Sequence, residues 1–140
     1  MSLTNEEKRA AAMAQIRGVY EDGEAEINGR TYKFHKMVHV DRRKVWAFFS
    51  SVQGQLQAGN FLFLDSPAYA QVEEVMWKGI SFEGSAISKL RDHWEEYPED
   101  YMTLVSTAMG VMSYPFLRAA GIASASSEET PQTSSSSKPM

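Results

Sequence analysis

The chain has 140 residues, 43% of them hydrophobic and 23% charged, which predicts one globular domain with a core of its own. It contains no cysteine, so disulfide scaffolds, cysteine-ligated metal or iron–sulfur sites and thiol nucleophiles are excluded together. A net charge of -4 argues against a dedicated nucleic-acid binder. The start lacks a signal-peptide pattern and no apolar run approaches the ~18 residues that span a bilayer, so a soluble, intracellular protein without membrane contact is expected.

Thr4 with Glu7 three residues on has the form of a capping box, and the alanine-rich stretch behind it predicts a helix to about Arg17, where Gly18 weakens it. Asn28-Gly29 then stands between two alternating runs, the strongest local signal for a β-hairpin. Pairing about that turn sets Ala25 opposite Tyr32 and Glu24 opposite Lys33, giving one apolar and one charge-matched face. A lone hairpin is marginal in water, so it must dock on helices or join another molecule's sheet.

Asp41 is the expected N-cap of a second helix reaching Ala58, with Val45, Phe48, Phe49, Val52 and Leu56 at helical spacing and Gly59-Asn60 as its stop. The run Phe61 to Leu64 is too short for a helix. Ser66 and Pro67 then predict a helix to Lys78 with Tyr69, Val72 and Met76 on one face. After a connection from Gly79 to Gly84, Ser85 or Ser88 is expected to start a helix running through Trp94 and Glu96. Pro98 opens the last helix, striped by Tyr101, Leu104, Val105, Ala108, Met109 and Met112, and Pro115 ends or kinks it. From Gly121 the chain turns serine-rich and lacks apolar periodicity. The expected architecture is therefore mainly α: a domain over 1–120 with four to five helices and one N-terminal β-hairpin, and a disordered tail over 121–140.

No catalytic, cofactor-binding or metal-binding residue is assigned. His35 and His39 are four apart but fall off any predicted helix, so the spacing does not make a metal site. His93 beside Asp92 and near Glu96 reads as part of a solvated helix face, since no nucleophile motif accompanies it and no phosphate-binding glycine loop occurs. The charge pattern says more. Arg30, Lys33, Lys36, Arg42, Arg43 and Lys44 face only Asp41 in their stretch, while Asp92, Glu95, Glu96, Glu99 and Asp100 form an acidic run. The molecule is expected to be electrically lopsided, with cations at the start of the second helix opposing its dipole and so available to a partner.

Three stretches belong together: Ile27-Asn28-Gly29-Arg30-Thr31-Tyr32 running on to Met37 and Arg42-Arg43-Lys44-Val45; Trp77-Lys78-Gly79 to Phe82-Glu83-Gly84; and His93-Trp94-Glu95-Glu96-Tyr97-Pro98-Glu99-Asp100-Tyr101 leading to Ser113-Tyr114-Pro115-Phe116-Leu117. This combination resembles the tail assembly chaperones of long-tailed bacteriophages. The resemblance implies a mainly helical, non-enzymatic protein of the host bacterial cytoplasm that binds the tape measure protein and keeps it soluble before the tail tube polymerises. The expected partner-binding residues are Arg42, Arg43, Lys44 and Trp46, the acidic Glu95, Glu96 and Glu99, and the apolar Leu104, Val105 and Met109. A basic face of one molecule meeting the acidic face of the next joins unlike surfaces, so self-association is expected to build rings or helical arrays. The alternative is a small adaptor or regulatory module that binds RNA or protein through the basic-aromatic patch around Arg42 to Lys44.

Overall fold

The computed structural model describes residues 4–120, so the expected serine-rich tail lies outside the described residues. Thr4 and Glu7 cap helix α1 (Asn5–Asp22) reciprocally: the Thr4 hydroxyl accepts from the Glu7 amide at 3.0 Å, and the Glu7 carboxylate from the Thr4 amide at 2.8 Å. The helix passes through Gly18 and stops only at Gly23, whose φ of 77° closes it in the left-handed region. Tertiary packing overrides the local weakness of Gly18: a Cβ on Gly110 of the last long helix would lie 2.4 Å from Ile16 Cδ1, so the missing side chain there admits α1.

Strands β1 (Glu24–Ile27) and β2 (Arg30–Phe34) pair antiparallel with Ala25 opposite Tyr32 and Glu24 opposite Lys33, the register that the Asn28-Gly29 turn predicts. Helix α2 (His39–Ala58) starts two residues before Asp41. Val38 is its N-cap without a side-chain bond, and Asp41 sits in the first turn, where its carboxylate favours the positive end of the helix. Gly59, with φ of 75°, is the expected stop. A 3-10 turn over Leu62–Asp65 leads to α3 (Pro67–Lys78), capped by the Ser66 hydroxyl accepting from the Tyr69 amide at 3.1 Å, with Pro67 in the first turn.

The stretch after α3 departs from the expected connection and helix. Residues Ile80–Phe82 form β3 and Ser85–Ala86 form β4, extending the N-terminal hairpin into a four-stranded antiparallel sheet in the order β1-β2-β3-β4. Tyr32 pairs with Phe82 and Phe34 with Ile80, so α2 and α3 form an excursion between two neighbouring strands. The β3–β4 turn, Glu83-Gly84, has φ values of 52° and 87°, nearly those of Asn28-Gly29 at 52° and 81°. Glutamate is not a turn-forming residue at positive φ, so sequence pattern does not reveal this second hairpin. The helix expected from Ser85 or Ser88 shrinks accordingly. A 3-10 turn at Ile87–Lys89 precedes the short α4 (His93–Glu96), and a second at Pro98–Asp100 precedes α5 (Tyr101–Met112). Pro115 falls in the first turn of α6 (Tyr114–Ala119), where its missing amide costs nothing.

The core lies between one face of the sheet and helices α2, α3 and α5. Tyr32, Ile80 and Phe82 meet Val45, Val72, Met76 and Leu104 there, all buried, and Phe48, Phe63 and Tyr69 pack with ring centroids 5.7 Å apart in each pair. Helix α5 packs against both α1 and α2, which corrects the reading of its stripe as a partner surface: Leu104, Val105 and Met109 have no exposed surface at all. The large apolar residues left exposed are Val38 and Val40 at the start of α2 and Phe61 and Leu62 beyond its end. A glutamate in the left-handed region costs about 1 kcal/mol and asparagine tolerates that region better, so Glu83→Asn should recover part of the cost, roughly 0.5 kcal/mol of stability. Chemical denaturation should show a higher midpoint with an unchanged slope.

Candidate functional site

The densest polar cluster joins the hairpin turn to the entry of α5. Asp100 ends the 3-10 turn before α5, and its side chain makes no capping bond; it is directed instead to the hairpin and is fully buried. Its Oδ1 accepts from Asn28 Nδ2 at 2.6 Å and Arg30 Nη2 at 2.9 Å, and its Oδ2 accepts from Arg30 Nε at 2.6 Å and the Tyr32 hydroxyl at 2.6 Å. Two donors on each oxygen occupy the carboxylate's acceptor capacity, the condition under which a buried charge is tolerated. The Arg30 guanidinium also bonds Glu99 at 2.6 Å and lies 4.2 Å from the centre of the Tyr97 ring.

The hydrogen bonds from Arg30, together with those from Tyr32 and Asn28, hold the Asp100 carboxyl far below its ordinary range despite burial, which works the other way. Burial, then the Asp100 carboxylate, push the Tyr32 hydroxyl well above the usual tyrosine value, so it stays protonated and donates. His93 Nε2 lies 2.8 Å from the Tyr32 oxygen. With the Tyr32 O–H donating to Asp100, the histidine is the donor to the tyrosine oxygen, which assigns its proton to Nε2.

His93 was expected on a solvated helix face; it is buried instead, at 4% exposure, with Phe82, Trp94 and Tyr97 rings packed about it at 4.8, 4.6 and 5.1 Å. The reason is that α4 is a single turn pressed against the sheet. Burial lowers the affinity of His93 for a second proton, outweighing the pull of Asp100. Among the described residues the side-chain hydrogen bond of His93 is to Tyr32, so the relay joins α4 to the hairpin and, through Asp100, to the entry of α5.

A second cluster ties α3 to α5. The Tyr101 hydroxyl donates to Glu73, and the Tyr69 and Tyr101 hydroxyls lie 2.8 Å apart. Burial is the main cause that drives both hydroxyls far above the ordinary tyrosine range, so both remain neutral.

The expected partner-binding residues divide. Arg43 and Lys44 are exposed on α2, and Glu95 and Glu96 are exposed on α4. Arg42 is half-buried, its Nη1 donating to the Met112 carbonyl at 3.3 Å, and Trp46 is half-buried and stacked on Phe116 at 5.9 Å with an interplanar angle of 20°. Glu99 pairs with Arg30, so the basic and acidic runs meet inside one molecule at this point. His35 bonds Ser81 Oγ at 2.8 Å while the His39 ring lies 6.0 Å from Phe116, so the two do not converge on a common point. Among the described residues no group of three or more histidine, aspartate or glutamate side chains is placed to hold a metal ion, and no helix is long and apolar enough to cross a membrane.

Sequence reasoning missed the Asp100 hub and the burial of His93. One signal was present: the hairpin register turns Tyr32 toward the apolar face, and a buried tyrosine hydroxyl requires a partner. Compared with known proteins, the chain matches no family model, no curated protein and no solved structure.

Because His93 binds a proton less readily folded than unfolded, the unfolded chain takes up more protons below the ordinary histidine value of 6.5, and stability falls as pH drops through that value. A glutamine can keep the donor to Tyr32 without titrating. His93→Gln should therefore flatten the loss of stability between about pH 6.5 and 5, measured by urea denaturation across that window. An equal slope in both proteins rules out His93 as its source.

Proposed function

We propose that this protein is a non-enzymatic tail assembly chaperone of a long-tailed bacteriophage, acting in the host bacterial cytoplasm to bind the tape measure protein and hold it soluble. The observation that supports this most is where the three stretches carrying the resemblance meet. Asn28, Arg30 and Tyr32 come from the first, Phe82 from the second, and His93, Tyr97 and Asp100 from the third; Tyr32 lies 5.3 Å from Phe82, and Phe82 lies 4.8 Å from His93. The shared residues thus serve folding, which suits a family joined by a scaffold and a binding surface more than by a reaction. The adaptor reading draws less support, since Trp46 has one face stacked on Phe116 and Arg42 is engaged with Met112.

Self-association belongs to the same proposal in a narrower form. Arg43 and Lys44 of one molecule meet Glu95 and Glu96 of the next, Glu99 being held by Arg30, and exposed Val38 and Val40 replace the buried α5 stripe as apolar support. Such a contact joins unlike faces and propagates into rings or helical arrays. Sedimentation at low salt should show Arg43→Glu and Glu96→Lys variants small when alone and assembled when mixed. A two-fold dimer unaffected by either reversal refutes this arrangement.

Co-expression with a tape measure protein from the same phage tests the function itself. The partner should co-purify and shift from the insoluble to the soluble fraction; a partner that does neither overturns the proposal.

A further inference from the structure

A groove of about 450 Å³ opens between the end of α1 and the start of α2. Tyr20, Phe34, Met37, Val111 and Met112 provide its apolar lining, and Gly23 leaves one side without a side chain. Met37 is the half-buried methionine among them, and its flexible thioether repacks around differing occupants.

The groove's flanks carry opposite charges. Glu21 stands on the α1 side, followed by Asp22, while Lys36 and Arg42 stand on the α2 side, followed by Arg43 and Lys44. Helix α1 ends on Glu21 and Asp22 with no base in its last turn, against its own dipole, and in α2 the cations Arg42, Arg43 and Lys44 follow Asp41. Among the described residues every ion pair is made by Arg30, so neither flank is neutralised by another of them. Unpaired charge of both signs around an apolar floor is a complementary template for an occupant that brings an apolar stripe with carboxylates along one side and cations along the other.

The backbone at the groove is already engaged. The Phe34 amide donates to the Gly23 carbonyl and the His35 amide to the Gly79 carbonyl, both at 2.8 Å, so no free strand edge is offered to an extended peptide. A helix satisfies its own backbone and needs only side-chain contacts. We propose that this groove docks an amphipathic helix of a partner protein, its apolar stripe seated on the half-buried Tyr20, Phe34 and Met37, its cationic flank toward Glu21 and its acidic flank toward Lys36. The proposal rests on the binding-protein reading above and locates its docking surface.

Three synthetic helical peptides of about 20 residues, a length that sustains helix, test it with the full chain at low salt. All carry the same leucine stripe; one is flanked by Glu on one side and Lys on the other, one by Glu on both, and one by Lys on both. The mixed peptide should bind about tenfold tighter than either uniform one, because like charges across a contact are penalised. Glu21→Lys, an exposed substitution, should move the preference to the all-Glu peptide, and Lys36→Glu should raise the affinity of the all-Lys peptide. Equal affinities for the three peptides, no binding, or a preference unmoved by Glu21→Lys overturns the groove assignment. If that happens while tape measure protein is still held soluble, the chaperone reading stands and its docking surface lies elsewhere. If the peptides discriminate and tape measure protein is not held, the groove stands and the chaperone reading falls.

Discussion

The Asp100 carboxylate, buried without any exposed surface and bonded by Asn28, Arg30 and Tyr32, is the constraint on which the arrangement of sheet and helices depends. Removing a carboxylate from water costs several kcal/mol, and only well-directed donors offset that cost. All three donors come from the hairpin and the acceptor comes from the entry to α5, so the cost is met only when these segments are in register. A one-residue slip of β2 would turn Tyr32 outward and leave the carboxylate short of a donor. The hairpin, too small to stand alone, is thereby tied to the helical body. Strand β3 adds a second attachment by pairing Phe82 with Tyr32, and His93 closes the assembly from the side of α4.

The polar groups that join the elements are separate from those left unpaired. Arg30, Glu99 and Asp100 neutralise one another inside the molecule, as Glu73 and the tyrosines Tyr69 and Tyr101 engage one another between α3 and α5. What remains unpaired among the described residues is concentrated elsewhere, notably at the adjoining ends of α1 and α2, where carboxylates and cations flank an apolar groove. Away from the unpartnered Trp94 Nε1 and Ser113 Oγ, the buried polar clusters engage one another, and the charge left unpaired lies on the periphery. The relay through His93, Tyr32 and Asp100 belongs to the first of these clusters and links α4, the hairpin and the entry to α5.

Local signals in the sequence determined several elements to the residue. The Thr4–Glu7 capping box, the Asn28-Gly29 turn with its register, the Ser66-Pro67 start of α3 and the Gly59 stop of α2 each depend on contacts within a few residues, which composition and spacing encode directly. The mainly α architecture with an N-terminal hairpin follows from the same signals. Only the tertiary structure decided the rest. Gly18 stays helical because α1 packs against α5; Ile80–Phe82 becomes a strand because β2 offers it an edge; Glu83 accepts a positive φ because that pairing needs a tight turn. His93 and the α5 stripe look much the same in sequence whether they face solvent, a partner or the core. Which of these they face is set by elements tens of residues away, since hydrophobic periodicity marks an apolar face without naming what covers it.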